Sequence, residues 1–267
     1  MTVVLLDGLR RLPSDTPVLR VDDLGVLRGE SCFETLRIRR GRPCLLQLHL
    51  RRLAHSAAAL AIDLPGGWEA LAQEAADGLD DGVLRLVCTK GAPGAGPIGF
   101  ALVTEVPAAT VREREHGVAA VTLTLGISAD QRAAAPWLLG GVKSTSYAVN
   151  MATLRHAGGG DAIWVSSDGE VLEAPTSTVV ALVDGVLVTP PTAVGILPGT
   201  TLQAVRDLDL HPCSVRRLPL AELAAASEVM LLSSIRGVAP VTSLDGRELG
   251  LGPVAAKLRD AFEASLL

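Results

Sequence analysis

The hydrophobic period of this chain switches repeatedly between two residues and about 3.6, and the switches fall at Gly- and Pro-rich turns, which excludes both an all-helical bundle and a pure β sandwich. Val3 to Leu6 reads as a strand ended by Asp7-Gly8, and Ser31 to Ile38 as another ended by Gly41. From His49 the apolar positions Leu50, Leu53, Ala57 and Leu60 recur at helical spacing, and Trp68, Leu71, Ala75 and Leu79 repeat the pattern. Three strands follow at Val83–Thr89, Phe100–Val106 and Val118–Leu125, with the loop Gly91–Gly99 between the first two. Between Gly126 and Gly141 the period fails and Pro, Ala and Gly accumulate, which predicts a linker over 126–141 between a domain at 1–125 and another at 142–267.

The second half predicts a helix over Ser146–His156, a strand over Ala162–Ser166 and a turn at Ser167-Asp168-Gly169. A hairpin spans Thr178–Val183 and Val186–Thr189. Helices at Thr201–Asp207 and Leu220–Ala226 flank a strand near Ser214, and strands at Val229–Ser233 and Val241–Leu244 precede a terminal helix from Pro253. Strands and helices mix without strict β-α-β repetition, so the class is α+β.

Composition narrows the function. A net charge of −5 with only short basic clusters argues against nucleic-acid binding. No stretch approaches the ~18 apolar residues of a membrane span and the start lacks a basic leader, so a soluble cytoplasmic protein is expected. Cys32, Cys44, Cys88 and Cys213 form no C-x-x-C pair, which suggests buried reduced thiols and no metal site. Only three lysines, Lys90, Lys143 and Lys257, stand beside 21 arginines, so chemistry that needs an amine has three candidates.

Dinucleotide, P-loop, zincin and serine-hydrolase motifs are absent from the sequence. Lys143 in Gly140-Gly141-Val142-Lys143-Ser144-Thr145-Ser146-Tyr147 follows small apolar residues where a helix begins. A lysine desolvated there has a lowered pKa and serves as a nucleophile or proton shuttle; on local sequence alone a surface lysine near a helix start is the commoner case.

Separated segments, in order, resemble the class IV aminotransferase family of pyridoxal-phosphate (PLP) enzymes along nearly the whole chain. Gly29-Glu30-Ser31-Cys32-Phe33-Glu34-Thr35 is similar to the family's G-D-G-x-F-E-T strand, and His49-Leu50-Arg51-Arg52-Leu53 with Ser56-Ala57 to its H-L-x-R-L-x-x-S-A helix. Asp168-Gly169-Glu170-Val171-Leu172-Glu173 resembles the turn that precedes the cofactor glutamate, Ile196-Leu197-Pro198-Gly199-Thr200-Thr201 the phosphate loop, and Ala239-Pro240-Val241 a late x-P-V segment. The resemblance implies a two-domain fold-type IV architecture, with a smaller N-terminal α/β sandwich and a larger barrel-like C-terminal domain. It also implies a homodimer with the cofactor between the domains.

Lys143 stands where the family's cofactor-carrying lysine stands, and Glu173 where its pyridine nitrogen is paired, although a glutamate after a hairpin is otherwise a solvated group. Arg52, Thr200, Thr201 and, more loosely, Ser234 match phosphate ligands; without the resemblance Arg52 is the polar face of a helix and Thr200 a cap. Tyr147, the single tyrosine, matches a contact to the cofactor's phenolic oxygen, or is an amphipathic core residue. Thr178, Leu202 and Arg28 depart from commoner Asn, Arg and aromatic residues, which leaves substrate identity open.

The family holds aminodeoxychorismate lyases and D-amino acid and branched-chain aminotransferases. Lys143 to His156 is most similar to actinobacterial aminodeoxychorismate lyases, which release pyruvate and form p-aminobenzoate for folate synthesis; an aminotransferase on the same scaffold is the alternative, and a non-catalytic relative the third. A substrate with two carboxylates asks for cations, and Arg28, Arg85 and Arg236 are the candidates, each equally readable as a solvated arginine. Thr35 resembles a threonine that assists catalysis in some lyases, and is otherwise a β-branched strand residue.

Overall fold

The computed structural model describes residues 1–266. It divides into two compact units, one built on Met1–Pro107 with Val142–Tyr147, the other on Ala108–Gly141 with Ala148–Ser265. Each contains strands and helices, as the α+β reading requires.

The first unit contains β1 (Thr2–Leu5), β2 (Arg11–Pro13), α1 (Leu24–Arg28), β3 (Ser31–Arg39), β4 (Arg42–Pro43), α2 (Leu46–Ala59), α3 (Trp68–Ala76), β5 (Asp81–Thr89) and β6 (Ile98–Thr104). The strands form one antiparallel sheet in the order β2-β1-β6-β5-β3-β4. Side chains alternate along β3, so Cys32, Leu36 and Ile38 enter a core with Leu53 and Ala57 of α2 and Leu71, Ala72 and Ala75 of α3. Leu36, Leu53 and Leu71 are fully enclosed, and truncating any one to Ala costs ~2–5 kcal/mol. The opposite β3 face carries Ser31, Phe33, Thr35 and Arg37. Beyond β3, β4 pairs only with Ile38 and Arg39, and the segment 142–147 pairs with the first half: Phe33 N donates to Lys143 O and Thr145 N to Ser31 O, both at 3.0 Å.

The second unit contains α4 (Ala108–His116), β7 (Val118–Thr124), α5 (Ala129–Ala134), α6 (Ala148–His156), β8 (Asp161–Val165), β9 (Thr178–Val183), β10 (Val186–Thr189), α7 (Thr200–Asp207), β11 (Cys213–Val215), α8 (Leu220–Ala225), β12 (Glu228–Ser233), β13 (Gly237–Leu244), β14 (Arg247–Glu248) and α9 (Pro253–Ser265). Its sheet runs β11-β10-β9-β12-β13-β7-β8, with β14 against β13. Ile163, Val179, Ala181, Val229 and Leu231 form its core, and Phe262 of α9 is fully enclosed.

The unit boundary falls after Pro107 rather than in the expected linker. Period alone does not say which sheet a strand joins, and β7 runs parallel to β13 and β8 of the second sheet. The stretch 126–141 is likewise part of the second unit: it holds α5 and a 3₁₀ turn over Pro136–Leu138. Helix α4 escapes sequence reading because its charged residues leave no buried side chain. The four cysteines carry free thiols, but Cys44 and Cys213 are half-buried rather than buried. Among the described residues no helix is long and apolar enough to cross a membrane, and no group of His, Cys, Asp and Glu could hold a metal.

Candidate active site

In the first unit the expected residues gather around β3 and α2. The α2 side chains His49, Arg52 and Ser56 lie three and four residues apart, hence on one helix face, and all are buried. Glu34, 0% exposed on β3, accepts from Arg52 Nε at 2.8 Å and Nη2 at 2.7 Å. His49 Nδ1 lies 2.6 Å from the same carboxylate. Burial alone pushes the Glu34 carboxyl up, but the Arg52 charge and the Arg52 and His49 hydrogen bonds outweigh it and hold the group down at about 2. Burial likewise holds His49 below its ordinary value, against the upward pull of Glu34. Burial thus favours the neutral imidazole, and a proton on Nδ1 suits the acceptor-only carboxylate it faces.

Ser56 Oγ accepts from Lys143 N at 3.0 Å, so the same helix face fixes the Lys143 backbone. The half-buried Lys143 Nζ lies 4.4 Å from the Phe33 ring centre and 3.4 Å from the Tyr147 hydroxyl, and the two rings meet edge to face. Gly29, at φ +70°, ends α1 where a Cβ would run into Ser146 Oγ. Lys90, by contrast, pairs with Glu30.

In the second unit Glu173 follows the expected turn and accepts from Leu197 N at 3.0 Å, with Arg132 Nη2 at 3.5 Å. Arg132 Nε also donates to Gly195 O at 2.7 Å, so one guanidinium ties the glutamate to the loop before α7. That loop turns into α7 at Gly199, and no side chain caps the helix start. Thr200 Oγ1 and Ser234 Oγ are 3.5 Å apart there. Thr201 is 2% exposed, and its Oγ1 has no hydrogen-bond partner among the described residues. A buried hydroxyl without a partner beside a helix N-terminus suits an anion. A Cβ at Gly199 would collide with Thr178 Oγ1. Gly199→Ala must therefore shift the loop, and a loss of phosphate affinity of about tenfold, the equivalent of ~1.4 kcal/mol, is expected in equilibrium titration.

The cationic candidates separate. Arg85, exposed on β5 at the register position of Thr35, carries its guanidinium 5.6 Å from the Phe33 ring centre. Arg28 is exposed in the last turn of α1, and no contact of its side chain supports or opposes a substrate role. Arg236 is 8% exposed, with Nη2 2.6 Å from Asp161 and 2.5 Å from Ser177, and Nη1 3.5 Å from Glu113. That burial and pairing give it a structural post in place of the expected substrate-entrance role. Sequence reasoning left Arg132 out because it lies in a stretch without period. Glu34, His49 and Ser56 lie inside motifs that assign them no role, although the spacing 49, 52, 56 puts three polar groups on one helix face.

The model of amino-transferase class IV matches residues 31–244. The chain belongs to the class IV aminotransferase family. It is accordingly a PLP-dependent enzyme of fold-type IV. A curated relative, the bifunctional aminodeoxychorismate lyase / D-amino acid transaminase of Mycobacterium tuberculosis, is 41% identical with 99% of each chain covered. A solved structure titled as a hypothetical aminotransferase from Mycobacterium tuberculosis in PLP-bound form superposes with a TM-score of 0.95 at 40% identity, covering 100% of this chain and 99% of that one. The 4-amino-4-deoxychorismate lyase of Pseudomonas aeruginosa follows at a TM-score of 0.80 and 29% identity, with 94% and 96% covered. In this class IV enzyme the Thr201 hydroxyl is buried without a hydrogen-bond partner among the described residues.

Proposed function

We propose that this class IV enzyme is a 4-amino-4-deoxychorismate lyase. The likeness over 99% of both chains to a protein named for lyase and D-amino acid transaminase activity carries the reading. The same likeness favours D-amino acid transamination as a second activity.

PLP, when bound, supplies an aldehyde for an amine and an electron-withdrawing ring that stabilises the electron pair left after proton loss. Lys143 Nζ is the amine for that aldehyde. With substrate in place, the same amine would take up the proton from the carbon that bears the substrate's amino group. Its backbone is tied down through Ser56 and its side chain lies on Phe33, so the base has little freedom to wander. Arg52, oriented by Glu34, would hold the phosphate, and Thr200, Thr201 and Ser234 are the hydroxyls that would serve it. Glu173, steadied by Leu197 N and Arg132, would pair with the pyridine nitrogen and favour its protonated form. Tyr147, whose hydroxyl lies 3.4 Å from Lys143 Nζ, would hold the phenolic oxygen.

In the lyase reaction the electron pair left by that proton becomes the last double bond of the substrate's own six-membered ring as the neighbouring C–O bond breaks, and enolpyruvate leaves with the pair of that bond and takes up a proton to give pyruvate. Thr35, two residues beyond Phe33 on the same β3 face, serves the leaving oxygen. Arg85 on the adjoining strand takes a substrate carboxylate, and Arg28 is the second candidate for that work. Purified enzyme given aminodeoxychorismate without any keto-acid acceptor is expected to form p-aminobenzoate and pyruvate in equal amounts. No product under those conditions ends the lyase reading; D-alanine consumption that requires 2-oxoglutarate, with no lyase product, replaces it by transaminase.

A further inference from the structure

Helix α4 presents a puzzle in packing: it spans nine residues yet buries none of its side chains. Hydrophobic burial therefore does not explain its place, and its polar side chains do. Arg114 Nε and Nη2 both donate to Ile235 O, at 2.8 and 2.5 Å, and Glu113 faces Arg236. Ile235 and Arg236 belong to the turn between β12 and β13 that carries Ser234. Arg236 in turn reaches Asp161 at the start of β8 and Ser177, the residue before Thr178, whose hydroxyl packs where Gly199 allows close approach. On the other side of the turn, Glu263 and Phe262 of α9 crowd Gly237.

We propose that Arg114 and Arg236 are positioning residues for phosphate recognition, bracing from behind the Ser234 turn and, through Ser177, the strand start against which Gly199 packs. The inference rests on the phosphate reading of Thr200, Thr201 and Ser234. Neither arginine touches the anion. Each fixes a segment whose hydroxyl or backbone faces it, and such placement matters because hydrogen bonds to a phosphate weaken steeply with misalignment.

The brace predicts selectivity of effect. Arg114→Met removes the grip on Ile235 O from an exposed helix and leaves the core untouched. Arg236→Lys keeps a charge against Asp161 but loses the fork that also reaches Ser177. Enzyme resolved of cofactor is titrated with PLP and, separately, with pyridoxal, which lacks the phosphate. Each variant is expected to raise the PLP dissociation constant about tenfold, ~1.4 kcal/mol of lost charge-assisted placement, while pyridoxal changes less than about twofold. Arg112→Met, on the exposed side of α4, leaves both unchanged, and thermal unfolding of the cofactor-free Arg114→Met protein stays near wild type. Equal weakening of both ligands, or unchanged PLP affinity in the two arginine variants, overturns the brace. A wild-type enzyme that holds PLP no better than pyridoxal overturns instead the phosphate reading on which the brace depends.

Discussion

Lys143→Ala is expected to lower turnover by at least about 10⁴-fold and to end borohydride-reducible attachment of PLP, because in the proposed mechanism one side chain supplies both the covalent anchor and the base. The other two lysines give the comparison its force. Lys90 is held by Glu30, and Lys257 is exposed on α9, so Lys90→Arg and Lys257→Arg keep both attachment and turnover. Mass spectrometry of the reduced adduct together with steady-state rates measures both quantities. Retained turnover in Lys143→Ala would remove the mechanism. An adduct on another lysine would move it.

The second large effect concerns stability as well as cofactor. Arg52→Ala leaves the fully buried Glu34 without its strongest counter-charge, and breaking a buried pair on one side costs ~3–5 kcal/mol. Urea unfolding at neutral pH is expected to show that loss, and the double variant Glu34→Gln with Arg52→Ala to recover part of it, since the uncompensated charge is then gone. The pH dependence has a definite sign. In the wild type Glu34 is held at about 2, below its ordinary value of 4.5, so its contribution is present above pH 4.5 and is lost as pH falls through 2. His49 is also depressed, so the unfolded chain takes up its proton first and stability begins to fall below about pH 6.5. In Arg52→Ala the Glu34 pKa rises with the loss of its counter-charge, which moves its part of the acid-side loss to higher pH. An Arg52→Ala protein as stable as wild type would show that the triad is not a structural unit.

How much of this was legible in the sequence varies by element. The long periodic segments, β3, α2, α3 and α9, begin or end within three residues of where pattern and turn residues place them, because burial of one face both creates the pattern and fixes the element. The α4 helix was not legible, since its reason for being lies in polar contacts to a turn about 120 residues away in sequence. Arg236 misled for the same cause: an arginine after two serines looks solvated until Asp161, Ser177 and Glu113 are placed around it. The motif that resembles a phosphate loop draws attention to Thr201, yet its orphaned hydroxyl is visible only in three dimensions.

The sequence by itself determined the family and singled out one lysine among three, because motif residues for covalent and anion chemistry recur at fixed local spacing along a chain. Tertiary structure decided which distant groups bear on them: Glu34 against Arg52, Arg132 against Glu173, Ser56 against the Lys143 backbone, and α4 against the Ser234 turn. The physical reason is that charge placement and desolvation depend on separation in space, which spacing along the chain encodes only within a helix turn or a strand pair.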